Sequence, residues 1–194
     1  MPDSMPRLSS LTRLVVVLLL LLFAAGSCVR KPVPVAGSVG PETRVYVVRH
    51  AEKDLTPDLA DPPLTAAGQA RAQALMAVIP RQTRLSAVFS TNTARTRATA
   101  QPLADARRLP VQLYDAGQLP ELAARIRRDY PGQAVLVVGH SNTILETVEA
   151  LGASRPVPTI PDAAYDYLLE VHLPLNPAQP ATAQAHQYGQ QMTP

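Results

Sequence analysis

The stretch AVLVV at residues 134–138 is apolar at every position. A strand with one wet face alternates apolar and polar side chains, whereas a strand covered on both faces need not. Such a strand requires helices on both sides of its sheet, and the neighbouring segments can supply them. Further strands are expected at RVYVV (44–48), LSAVF (85–89), VQLY (111–114) and YLLEVHL (167–173). Helix-period patterns fill the gaps at 64–79, 93–108, 121–130 and 141–152. The first opens on Thr65, a suitable N-cap, and the last ends on Gly152. Strands alternating with helices predict an α/β fold, a three-layer αβα sandwich around a mostly parallel sheet.

The two ends of the chain read differently from this core. Arg7 and Arg13 precede LVVVLLLLLFAA (14–25), a run short for a membrane span but right for the core of a signal peptide. It leads through AGS to Cys28, the single cysteine of the chain, which therefore has no intramolecular disulfide partner. Residues 1–28 thus read as a signal and anchor segment, 29–43 as a Pro/Gly/Ser linker, and 44–173 as the folded domain. Residues 174–194, rich in Pro, Ala and Gln, read as a disordered tail. The formal net charge is only +3, Trp is absent and Phe occurs twice, so no nucleic-acid surface is expected. A small anion is not excluded by so weak a charge.

In parallel α/β sheets, ligands sit at the carboxyl ends of the strands. Arg49 and His50 follow one expected strand, and Gly139 and His140 follow another. Alone, each is a weak signal, since a histidine at a strand end is more often a hydrogen-bonded structural residue. Together, RHAEK (49–53), PLTAAGQAR (63–71), FSTNTARTRATAQPLA (89–104) and LVVGHSNT (136–143) form an ordered set. That set resembles the histidine phosphatase superfamily, with its phosphoglycerate mutase-like fold. RHAEK resembles the family's Arg-His signature, and Ser90, Arg95 and Thr99 its Ser-x4-Arg-x3-Thr helix.

The resemblance implies a phosphatase acting on a small phosphorylated substrate. His50 would be the nucleophile, with Nδ1–H given to a backbone carbonyl and Nε2 facing phosphorus. Arg49, Arg95, His140 and Asn142 would hold the phosphoryl group, His140 also assisting catalysis. Planar guanidinium forks suit a phosphate, and a neutral imidazole can take up a phosphoryl group. Neither cofactor nor metal is implied. The acid for the leaving oxygen stays open between Asp115 and Glu52, with Glu121 a poorer choice. Lys53 would contact substrate or pair with Glu52. The first segment resembles a bacterial lipoprotein signal, which implies lipidation of Cys28 and an extracytoplasmic place in the cell envelope, at the outer membrane if there are two.

Three other readings compete. GHSNT is one residue short of the G-x-S-x-G elbow of serine hydrolases, which would make Ser141 a nucleophile served by Asp166 and His172 or His186. That leaves RHAEK unexplained. A domain that binds phosphate or a protein without catalysis is the second, and a phosphomutase the third, though the spacings here are compact for a mutase.

Overall fold

The computed structural model describes residues 42–190. The signal segment, Cys28, the linker up to residue 41 and the last four residues lie outside the described residues. In chain order the elements are β1 (Glu42–Arg49), α1 (Ala66–Val78), β2 (Leu85–Ser90), α2 (Ala94–Arg107) and β3 (Val111–Leu113). They continue as α3 (Leu119–Asp129), β4 (Ala134–Gly139), α4 (Ile144–Ala150), β5 (Tyr167–Pro174) and β6 (Thr182–Gln187).

The strands form one sheet in the order β3-β2-β4-β1-β5-β6. β3, β2, β4 and β1 run parallel, while β5 and β6 are antiparallel additions at one side. β4, the all-apolar strand, is buried at every position, and its side chains divide between two cores. Val135 and Val137 join Val45, Val47 and Phe89 under α3 and α4, through Leu122, Ile126, Ile144 and Val148. Leu136 and Val138 join Tyr46, Val48 and Val88 under α1 and α2, through Leu75, Leu103 and Ala104. Each fully buried aliphatic side chain contributes about 1.5–3 kcal/mol relative to exposure, so this two-sided burial fixes the layering. The expected αβα sandwich is the observed one.

Local chemistry sets the helix boundaries. Thr65 caps α1 by accepting from Gly68 N at 3.1 Å. α2 stops where Arg108 takes a left-handed conformation, φ 55°. The helix expected from Ser141 begins only at Ile144, because residues 141–143 turn beneath His140, with Thr143 N donating to His140 O at 3.0 Å.

One expectation is corrected. Residues 174–190 are not a disordered tail: β6 pairs with β5 from Thr182 opposite His172 to Gln187 opposite Tyr167, and Tyr188 beyond it is buried. The strand escaped notice because it lies at the sheet edge and is held by its backbone ladder. Only the small Ala183 and Ala185 touch the core, so TAQAHQ carries no hydrophobic alternation. At the other end, Glu42 and Thr43 belong to β1 rather than to the linker.

Candidate active site

β1 and β4 are neighbours at the middle of the sheet, with Arg49 opposite Gly139. Their carboxyl ends therefore deliver Arg49-His50 and His140 side by side, as the strand-end rule requires. The chain leaving β1 is held at every step. His50 N donates to Gly139 O at 2.9 Å, and Ala51 N donates to Thr99 Oγ1 of α2 at 2.9 Å. Glu52 O accepts from Thr65 N at 2.9 Å, where α1 starts. Gly68 makes that approach possible, since a Cβ there would stand 2.2 Å from Glu52 O.

His50 is buried, and its Nδ1 lies 2.8 Å from Ala51 O. A carbonyl only accepts, so Nδ1 carries the proton and Nε2 keeps its lone pair. Burial, reinforced by the nearby charges of Arg49 and Arg95, pushes the His50 pKa down to about 3, despite the opposing pull of Ala51 O. The imidazole is therefore neutral at ordinary pH. His140 stands with its ring centroid 5.6 Å away, edge to face, and burial with the same arginines lowers its pKa too. Its Nε2 lies 2.9 Å from Thr91 Oγ1 at the end of β2.

The two arginines are each held by neighbouring structure. Arg49 donates through Nη1 to Asp162 O and Ala164 O, and its guanidinium lies 4.1 Å from the Tyr165 ring centroid. Arg95, in the first turn of α2, has Nη1 3.5 Å from Asp61 Oδ1. Asp61 also accepts from Ala94 N, so one carboxylate fixes both the helix start and the arginine. The Nε–H groups of Arg49 and Arg95 are buried without a hydrogen-bond partner. Buried donors of this kind are rarely left unmet.

Arg49, His50, Arg95, His140 and Asn142 thus line a single cavity of about 780 Å³, with Lys53 and Tyr165 also in its wall. The two candidate acids are not in that wall. Glu52 is gripped by Arg71, whose Nε reaches both carboxylate oxygens at 3.0 and 3.1 Å. With both oxygens taken up by Arg71 and the residue outside the cavity wall, Glu52 is not placed to give a proton to a leaving group, and it is not the partner of Lys53 either. Asp115 lies in the turn after β3, accepting from Gly117 N at 2.8 Å, and faces an adjoining depression that it shares with His140. The hydrolase elbow is not assembled. His172 is taken by Glu42 and His186 faces Glu170 on the far strands, and no hydrogen bond joins Ser141 to a histidine. No helix among the described residues is long and apolar enough to cross a membrane, and no group of three or more metal-ligating side chains occurs among them.

Several contributors were not singled out from sequence. Tyr165 sits in an irregular segment whose only mark is composition, and Thr91 and Asp61 act through bonds to partners far along the chain. Arg71 reads as one more cation on a helix face.

The family model of the histidine phosphatase superfamily (branch 1) matches residues 45–124. No curated protein matches the chain. Among solved structures, the phosphohistidine phosphatase SixA proposed for Agrobacterium tumefaciens superposes with a TM-score of 0.55 at 22% identity, over 77% of this chain and 98% of that one. The protein histidine phosphatase SixA in complex with tungstate gives 0.54 at 20%, over 77% and 96%. A mycobacterial glucosyl-3-phosphoglycerate phosphatase gives 0.53 at 16%, over 76% and 98%. Identities this low speak for a shared fold.

Proposed function

We propose that this chain, which has a histidine phosphatase-like fold and matches that superfamily over residues 45–124, is a phosphomonoesterase working through a phosphohistidine on His50. The observation that carries the reading is the one cavity that Arg49, Arg95 and His140 line together with His50, a histidine kept neutral by burial. Two guanidiniums beside a nucleophile with a free lone pair make a site for an anion that is to be attacked.

On this reading Arg49 and Arg95 take the non-bridging oxygens, offsetting the charge that would repel the nucleophile. Nε2 of His50 forms a bond to phosphorus as the bond to the leaving oxygen breaks, and Nδ1–H stays on Ala51 O. The Thr91 hydroxyl lies 3.0 Å from Thr96 Oγ1, to which it can donate, and 2.9 Å from His140 Nε2. On this reading it turns its hydrogen to Nε2 when substrate binds, which puts the His140 proton on Nδ1 to serve the transferring phosphoryl group. With Glu52 committed to Arg71, Asp115 is the one of the two candidate acids left to protonate the leaving oxygen. Water then attacks the phosphohistidine, releasing phosphate and restoring neutral His50. Lys53, in the cavity wall and without a carboxylate partner among the described residues, is placed for the remainder of the substrate.

The address belongs to the same proposal: Cys28 lipidated, the domain tethered outside the cytoplasm, its substrates small phosphomonoesters of the envelope or medium. Phosphate release from two aryl phosphates with leaving groups of different acidity tests the chemistry. His50→Ala should abolish release from both, and Asp115→Asn should slow the poorer leaving group most. Full activity in His50→Ala would rule out the mechanism.

A further inference from the structure

We propose that Arg71, together with the chain segment after β6 that it holds, is a positioning device for the nucleophile loop and sets the turnover of the phosphatase reaction, on which reading this inference rests. Arg71 lies on α1 yet is only 4% exposed. A guanidinium that deep needs every donor engaged. Its Nε bonds both oxygens of Glu52, and Nη2 adds a third contact to Oε1 at 2.8 Å. The remaining bonds go to the end of the chain: Nη1 donates to Tyr188 O and Nη2 to Gln190 O, each at 2.9 Å.

That end is itself fixed. Tyr188 is buried and donates its N–H to Asp166 O at 2.9 Å. Gly189 takes φ +70°, which brings the backbone close under Arg71, and a Cβ there would stand 3.1 Å from Nη1. Arg71 thereby joins three parts of the molecule: α1, the residue two places after His50, and the C-terminal segment.

The link to chemistry runs through one peptide unit. His50 is oriented by the carbonyl of Ala51, and that carbonyl belongs to the peptide plane shared with Glu52. Glu52 is clamped at its carbonyl by Thr65 and at its carboxylate by Arg71. Holding Glu52 therefore holds the acceptor that aims the imidazole. Arg71 does not line the cavity, so it acts through Glu52 and Ala51 rather than on substrate. A clamp that serves folding alone would change stability and leave the turnover of folded molecules unchanged.

The test is kcat, KM, vanadate inhibition and the thermal midpoint for an aryl phosphate, measured on the full chain. Arg71→Gln and Glu52→Gln should each lower kcat per folded molecule about tenfold or more, with KM and vanadate inhibition within about threefold of the parent. The double variant should be no worse than the poorer single one, and Arg71→Lys should recover part of the loss. Gly189→Val should lower kcat although Arg71 and Glu52 are both retained. A kcat per folded molecule within about twofold of the parent in Arg71→Gln and Glu52→Gln would overturn the inference, even with a lowered midpoint. If Arg71→Gln does not fold, Glu52→Gln and Arg71→Lys decide by the same criterion. The parent and His50→Ala are measured alongside. An active parent that needs His50 but not Arg71 sinks the positioning role alone; an inactive parent sinks the phosphatase reading and this inference with it.

Discussion

A histidine that attacks phosphorus must be neutral, yet the phosphate it attacks has to be held by cations. In this site the same groups meet both demands. Arg49 and Arg95 add to burial in disfavouring an imidazolium at His50, and both line the cavity in which an anion would sit beside it. The arrangement has a cost that pH exposes. In the unfolded chain His50 binds a proton near its ordinary value of about 6.5, whereas in the fold it stays neutral until about 3. The unfolded state therefore holds more protons between those values, and stability is full above 6.5 and lost as pH falls. The expected slope from this one group is about 1.4 kcal/mol per pH unit below 6.5, with His140 acting in the same direction. Denaturant unfolding between pH 5 and 8 should show the decline, and His50→Asn should flatten it. An unchanged pH dependence in that variant would mean that His50 is not held neutral by the fold.

At the scale of elements, the loop that carries His50 is a junction of β1, β4, α1 and α2 rather than a free connection. The tightest point is α1 against the loop, where Gly68 approaches Glu52 O too closely for any side chain. Gly68→Ala should destabilise the chain by about 1–3 kcal/mol, as overpacked sites do, and lower activity further by shifting the loop. Unfolding midpoints and kcat measured together would check both, and a stable, fully active variant would refute the close approach. The legibility of the site from sequence follows from the same distinction between strands and junctions. β1 and β4 could be read because two-sided burial demands unbroken apolar runs, and their ends name Arg49, His50 and His140. Thr65 could be read as a cap. β6 could not, because a strand held by backbone bonds needs no apolar pattern. Arg71 and Tyr165 could not either: nothing local marks a helix arginine as buried, or a loop tyrosine as the face on which Arg49 rests. Glu52 and Asp115 looked alike as candidate acids, and only the fork of Arg71 separates them.

For the molecule as a whole, the sheet order β3-β2-β4-β1-β5-β6 brings three parallel strand ends together. β1 supplies Arg49 and His50, β4 supplies His140, and the turn after β2 supplies Thr91 and the start of α2 with Arg95. Motifs as far apart along the chain as those of Arg49 and Asn142 thus share one cavity. The antiparallel β5 and β6 close the other side and carry the segment that reaches back to Arg71. Ahead of this domain, the apolar run and Cys28 argue for a lipid tether. Two or more acyl chains, at about 0.8 kcal/mol per buried methylene, would hold the protein stably on a membrane. The full chain expressed in a bacterial host should fractionate with membranes, and Cys28→Ser should release it or leave it as unprocessed precursor. A mature Cys28→Ser protein that stays membrane-bound would contradict the tether.

The central claim is a covalent phosphohistidine on His50. Rapid-quench mass spectrometry of the enzyme mixed with an aryl phosphate addresses it directly, with peptides analysed under alkaline conditions that preserve phosphoramidates. The account predicts one added phosphoryl group on the peptide carrying RHAEK, acid-labile, assigned to His50 and absent in His50→Ala. Turnover without any phosphoryl group on that peptide, or with one carried elsewhere, would contradict it.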